Sequence, residues 1–421
     1  MADIIEITDL GAQGDGVHQA GLERIYVERA LPNESVRVKH RGKDNGLQRA
    51  DLLEVLTASP VRVAAPCVHY DVCGGCTLQH ATEAFYRDWK TGVVQSILAR
   101  NGLVPEQWLA PVFLPAGQRR RVTFAAARKG KSVTLGYFRR RTHLVTDITA
   151  CLVADPVLMD LRAKLIPLLV PILQEGKPAD IFLQHVDGAV ELVITGPIGA
   201  RGRPDLSLHE ALAALVNATG IARVAWRARE RDTPEVMLEA RPVMARFGAL
   251  DVALPPLAFL QPTKLGEKAL VDAVMALLPA SGTFADLFSG CGTFSGPMLA
   301  RGPVEAYDSV ETSMRALDKA KGQAPLRATQ RDLFQDPLRP DELKRFDALV
   351  FDPPRLGARE QAQAIAQSNC PTVVAVSCNP VTFARDARLL TGGGYTLNSV
   401  QVVDQFTWSH HVELVAGFTR K

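Results

Sequence analysis

The sequence predicts an α/β protein in three parts: an OB-like β-barrel over residues 1–58, a central α+β domain with a four-cysteine metal site over 59–253, and a Rossmann-like domain over 254–421. Three observations carry this. Short β-rich runs broken by Gly and Pro turns fill the first part, and cysteines crowd the start of the second. Apolar strands alternating with helical runs, each strand ending in a polar residue, fill the third.

With 421 residues, 47% hydrophobic and 22% charged, the chain has the make-up of a multidomain globular protein. Its longest apolar run, Leu165 to Leu173, is interrupted by Pro167 and Pro171, so no membrane span is expected. Asp3 and Glu6 stand where a signal peptide needs basic and then apolar residues. Seven cysteines, an odd number, argue for metal or catalytic thiols rather than disulfides. These features point to a cytoplasmic protein, and no obligate protein partner is evident. The net charge of +3 is small, but residues 61–150 hold 13 Lys/Arg against five acids, whereas the first 60 hold seven against ten. That basic middle is a candidate surface for a polyanion.

Taken in order, the runs Ile4–Thr8, Arg24–Val27, Ser35–Lys39 and Ala50–Leu56 alternate as short strands, a shape used on single-stranded nucleic acid. Cys67, Cys73 and Cys76, with Gly74 and Gly75 between the last two, describe a loop around a metal. A thiolate site needs a fourth ligand, and Cys151 is the best candidate; spacing alone leaves zinc and iron–sulfur equally open. A helix is expected from Glu83 to Gly102, then paired strands carrying the triplets Arg119-Arg120-Arg121 and Arg139-Arg140-Arg141. With Phe124, Tyr137 and Phe138 interleaved, these triplets could grip phosphates while the aromatics stack on bases. Residues 152–250 alternate helical and strand patterns without chemical signals.

A helix is expected over Val271–Leu278. The stretch Thr283 to Ala300 then reads as strand, glycine turn and helix. Its Gly290, Gly292 and Gly296 depart from the dinucleotide spacing. Asp308, eighteen residues after Gly290, ends the next strand, where a carboxylate can hold both ribose hydroxyls. A kept ribose acid without a pyrophosphate loop fits a nucleoside cofactor such as S-adenosylmethionine. Asp332 could meet an adenine amino group, and two further strands end at Asp352 and Cys378. Parallel strands place all these ends on one edge. A lone cysteine there is ordinarily a packed thiol. Its helix-start position, before Pro380, favours the thiolate and makes Cys378 a candidate nucleophile. Glu413, in a terminal hairpin between Val412 and Leu414, faces either solvent on an edge or a cleft.

A thiolate, a carboxylate and a methyl-sulfonium together can methylate C5 of uridine. The thiolate adds at C6, C5 takes the methyl, and a base removes the C5 proton before the thiolate leaves. The chain resembles the RNA uridine-5-methyltransferase family, on Asp352-Pro-Pro-Arg, Ser377-Cys-Asn-Pro and His411-Val-Glu413 in that order behind the cysteine motif. Within it the chain is most similar to 23S rRNA members with an N-terminal TRAM domain and a 4Fe–4S site. The resemblance implies a Rossmann-like methyltransferase domain, Cys378 as nucleophile and Glu413 as proton acceptor. It also implies S-adenosylmethionine contacts from Gln261, Phe288, Thr293, Asp308, Asp332 and Asp352. A 4Fe–4S cluster on Cys67, Cys73, Cys76 and Cys151 is implied too, with RNA as partner, rRNA ahead of tRNA. Departures are Thr263 for Asn, Asp308 for Glu, Ser289 for Cys, and Thr407-Trp408 for Pro. A catalytically silent RNA-binding protein on the same fold is the alternative, and the retained Cys378 and Glu413 speak against it.

Overall fold

The computed structural model describes residues 2–420 except 22, 45, 141, 143 and 200–203, and the backbone but not the side chain of 20. Arg141 and His143 of the second basic run therefore lie outside the described residues. Among the described residues the strands form three large sheets and one small hairpin, Met244–Phe247 with Leu250–Ala253.

The first sheet orders its six strands Ala2–Ile7, Glu34–Asp44, Leu47–Thr57, Glu23–Glu28, Asp15–Ala20, Asp9–Leu10. Ile5, Ile7, Val27, Val36 and Val38 fill one interior. Gly16 is needed because a Cβ there would meet the Ala30 carbonyl oxygen at 2.8 Å.

The second sheet has seven strands: Val145–Asp147, Ser132–Phe138, Arg121–Lys129, Pro178–Val186, Ala189–Thr195, Arg223–Arg227 and Glu235–Glu239. Helices Pro156–Leu169 and Leu206–Thr219 share a core with it through Leu158, Leu165, Leu212 and Leu215. The stretch without chemical signals is thus scaffold. The pair expected around residues 118–143 forms, with Gly136 opposite Ala125.

The third sheet carries the site. Leu326–Gln330, Val304–Asp308, Phe284–Leu287, Ala348–Phe351 and Thr372–Ser377 run parallel in that spatial order. Glu413–Arg420 joins antiparallel and pairs with Tyr395–Asp404, beyond which Gln107–Trp108 and Val112–Phe113 add parallel. Phe284–Leu287 and Ala348–Phe351 are buried throughout, as strands covered on both faces must be. Helices Arg359–Gln367 and Pro380–Gly392 cover one face through Ile365, Phe383 and Leu390. Lys264–Leu277 and Glu311–Ala320 cover the other through Leu270, Val274 and Leu317. The helix at Lys264 begins seven residues before the expected start, because Thr263 caps it by accepting the Gly266 N–H at 2.8 Å. No helix among the described residues is long and apolar enough to cross a membrane.

Candidate active site

The parallel strands deliver their C-terminal ends to one edge. Ser377 is paired with Leu414, so Cys378 and Glu413 stand one step beyond the last rung of an antiparallel ladder. Glu413 is 5% exposed and its strand lies inside the sheet, which excludes the solvent-facing edge. Asn379 caps the helix Pro380–Gly392 by accepting the Val381 N–H at 3.1 Å, and its amide donates to the Arg355 carbonyl at 3.0 Å. This joins the Cys378 turn to the Asp352-Pro-Pro-Arg turn.

At the neighbouring strand end, Asp308 accepts the N–H groups of Gly290 at 3.0 Å and Val310 at 2.8 Å, fastening the glycine turn. Phe288 adopts a left-handed φ of 64°, and its ring lies 5.4 Å from that of Phe334. Asp332 is exposed and accepts the Phe334 N–H at 3.0 Å. Thr293 sits half-buried in the turn. Gln261 is buried, and its Nε2 reaches Asp352 Oδ2 at 3.5 Å.

The electrostatics correct one expectation. Cys378 is not poised as a thiolate. Burial, together with the charges of Glu413 and Asp352, pushes its thiol up to about 12, and Arg355 opposes this only in part. A helix N-terminus contributes about 0.3–1 kcal/mol, too little against burial beside two carboxylates. Asp352 is itself pushed up to about 7 by burial, and Glu413 is raised well above the usual range by burial and then by Asp352.

A sequence profile of the tRNA (Uracil-5-)-methyltransferase family matches residues 335–420, the part that supplies Asp352, Cys378 and Glu413. An uncharacterised RNA methyltransferase of Caulobacter vibrioides is 38% identical over 431 residues, covering 99% of both chains. The 23S rRNA (uracil(1939)-C(5))-methyltransferase of Halomonas elongata is 31% identical over 431 residues, covering 97% of this chain and 87% of that enzyme. The chain belongs to the RNA uracil-5-methyltransferase family. The fold is similar to that of the Pyrococcus abyssi tRNA (uracil-54, C5)-methyltransferase solved with S-adenosyl-L-homocysteine, at TM-score 0.76 and 22% identity, covering 99% of each chain.

In this uracil-5-methyltransferase family member, Cys67, Cys73, Cys76 and Cys151 line one cavity of about 490 Å³ together with Tyr137, Ile148, Ser409, His410 and His411. Burial, with the other three cysteines, pushes the Cys76 thiol up to about 12. Among the described residues no three His, Cys, Asp or Glu side chains are grouped so that they could hold a metal ion. The cysteine loop is nonetheless tied to the segment leading to Glu413. The Thr77 and Leu78 N–H groups both donate to the Trp408 carbonyl, at 2.7 and 3.1 Å. Trp408 N–H donates to Tyr86 Oη at 3.0 Å, and Lys90 Nζ donates to Asp404 Oδ1 at 2.6 Å.

The arginine triplets are less free than expected. Arg120 is buried, paired with Glu267 at 2.5 Å, and donates to the Gln261 carbonyl at 3.0 Å. Arg140 holds the carbonyls of Cys73, at 3.0 Å, and Cys76. Both are structural rather than phosphate grips. Arg121 remains over the exposed ring of Phe259, 4.4 Å from its centroid, and Arg139 is exposed.

Two residues carry no role in the sequence reading. Asp286 is fully buried, pushed up to about 7 by burial and the charges of Asp352 and Asp308, and accepts the Ser295 hydroxyl at 2.5 Å. An acid inside an otherwise apolar strand is its signal. Gln405 has none, since a single amide in a polar segment carries no mark of burial.

Proposed function

We propose that the protein transfers a methyl group from S-adenosylmethionine to C5 of a uridine in RNA through a covalent Cys378–C6 adduct. The observation that carries this is Cys378 opposite Glu413, one step beyond the last rung of the ladder, and within the field of Asp352. The residues fit a cationic donor: burial raises the carboxyls of Asp286, Asp352 and Glu413, and the charge of Asp352 raises Asp286 and Glu413 further, so a cation beside them would be favoured. Asp286 Oδ1 is buried without a partner, an acceptor for a further N–H. Gln261, Phe288, Thr293, Asp308, Asp332 and Asp352 would hold the donor against the glycine turn. Bound there, it supplies an electrophilic methyl on a positively charged sulfur.

Cys378 must lose its proton to attack, and positive charge beside Asp352 and Glu413 offsets the two carboxylates that oppose ionisation. Its addition to C6 makes C5 nucleophilic, and C5 takes the methyl. Glu413 then accepts the C5 proton, after which the Cys378–C6 bond breaks and the uracil ring is restored. RNA containing 5-fluorouridine stops before that proton step, because fluorine does not leave as a cation. The protein should form an adduct that survives denaturation, and its persistence in Cys378→Ala would overturn the assignment.

Ribosomal RNA is the proposed substrate, supported by the Halomonas relative. Transfer RNA is the second reading, favoured by the matching family description. Mapping 5-methyluridine in both RNA classes from a deletion strain decides between them. The four cysteines are proposed to hold a 4Fe–4S cluster, on the ground that all four line one cavity. A cluster gives each thiolate its own iron and does not require ligands crowded around a single ion. Anaerobically purified protein should contain iron and sulfide, lost in Cys76→Ser; one zinc and no iron would refute this. The 1–58, 59–253 and 254–421 division, with a TRAM-type barrel first, is proposed with it.

A further inference from the structure

Gln405, the residue after the strand Tyr395–Asp404, is 3% exposed and lies between the two ends of the site. Its Nε2 donates to Gln261 Oε1 at 2.7 Å and to Glu413 Oε1 at 3.4 Å. Gln261 Nε2 in turn reaches Asp352 Oδ2 at 3.5 Å. A primary amide nitrogen carries two hydrogens and accepts nothing, so one side chain can serve both acceptors. Gln405 Oε1 is buried without a partner. It rests against Gly266, where a Cβ would come within 2.2 Å of it. On the backbone side Asp404 is anchored by Lys90 at 2.6 Å and by Tyr86 Oη at 2.5 Å. The amide is therefore held by its own strand, by a helix residue lacking a side chain, and by Gln261.

We propose that Gln405 is the positioning residue for Glu413, aiming its carboxylate into the cleft and linking it through Gln261 to Asp352 on the cofactor side. The inference rests on the role given above to Glu413. An amide hydrogen on a carboxylate favours the ionised form, the form that can take a proton from C5. Here it opposes burial and the charge of Asp352. Adduct formation uses Cys378 and does not involve the amide. Adduct release depends on Glu413, and there the loss should appear.

The test uses the full chain as wild type, Gln405→Met and Gly266→Ala. Met keeps the length and removes the donor; the added methyl of Ala would meet the Gln405 amide oxygen at 2.2 Å and the Thr263 hydroxyl at 2.7 Å, displacing the amide without deleting it. Adduct formation on 5-fluorouridine RNA should proceed at the wild-type rate in both variants. On ordinary RNA, both should accumulate the methylated covalent complex, and the acidic limb of turnover should move up by about one pH unit. That corresponds to about tenfold slower turnover below the limb, the effect of losing one hydrogen bond to a charged group. An unshifted limb without accumulated complex in either variant overturns the proposal. If thermal unfolding shows Gln405→Met to be misfolded, Gly266→Ala decides alone. If the wild type forms no adduct with fluorinated RNA, the functional reading fails and this inference falls with it.

Discussion

Replacing Asp352 with asparagine should stabilise the ligand-free protein while abolishing donor binding. Asp352 has its carboxyl pushed from an ordinary 3.8 to about 7 by burial. In the unfolded chain it ionises near 3.8, so between there and about 7 the unfolded state sheds a proton that the folded state retains. Stability therefore falls as pH rises through that window and levels off above it. A displacement from 3.8 to about 7 corresponds to roughly 4 kcal/mol, and the partial solvent exposure of Asp352 lowers this toward about 2 kcal/mol. The asparagine side chain has no proton to lose, and its carbonyl can still accept from the Gln261 amide. The substitution also removes the charge that raises Glu413. Urea unfolding of wild type and Asp352→Asn from about pH 4 to about pH 8 should give stabilities that coincide at the acidic end. They should separate by about 2–4 kcal/mol at the alkaline end, with the variant the more stable. A variant equal to or weaker than wild type there would refute the reasoning. Calorimetry with S-adenosylmethionine should show the opposite order, because acids placed to hold a cation cost stability until it arrives.

Three further outcomes follow from other parts of the molecule. Glu413→Gln should form the fluorouridine adduct normally yet stall on ordinary RNA as a methylated covalent complex, visible on a denaturing gel. Lys90→Met should cost about 3–5 kcal/mol in urea unfolding, because it leaves Asp404 buried without its cation. Gly136→Ala should disrupt the junction between Ser132–Phe138 and Val145–Asp147, since its Cβ would lie 1.9 Å from the Thr146 carbonyl oxygen. Lower soluble yield and a lower melting temperature would register it.

The site is legible in the sequence where chemistry sits at strand ends. Asp308, Asp352 and Cys378 each close an apolar run, and a parallel sheet has only one edge on which to present such ends. Glu413 is half legible: alternation turns it away from its neighbours, but only its pairing partners decide whether that face is solvent or cleft. The triplet Arg119-Arg120-Arg121 misleads. Only Arg121 belongs to the strand Arg121–Lys129; Arg120 lies just before it and turns inward to Glu267, which the sequence does not mark. Gln405 and Lys90 are not legible at all. Gln261, which holds the Gln405 amide, lies 144 residues from it and Asp404 lies 314 from Lys90, and neither an amide nor a lysine advertises burial. The thiol of Cys378 misleads for a related reason. A helix start is visible in sequence, whereas the two carboxylates that outweigh it arrive from other strands.

The two short strands from residues 107–113 have a consequence for how the chain can be cut. They cover Tyr395–Asp404, a ten-residue strand that would otherwise be the open rim of the third sheet. A fragment beginning near residue 254 would retain every strand of that sheet except these two. It would then present an unprotected row of N–H and C=O groups flanked by Leu397, Val400, Val402 and Val403, a template for pairing with another copy of itself. The catalytic half is thus not detachable: severed from the middle of the chain, it should be recovered as aggregate rather than as a small working enzyme.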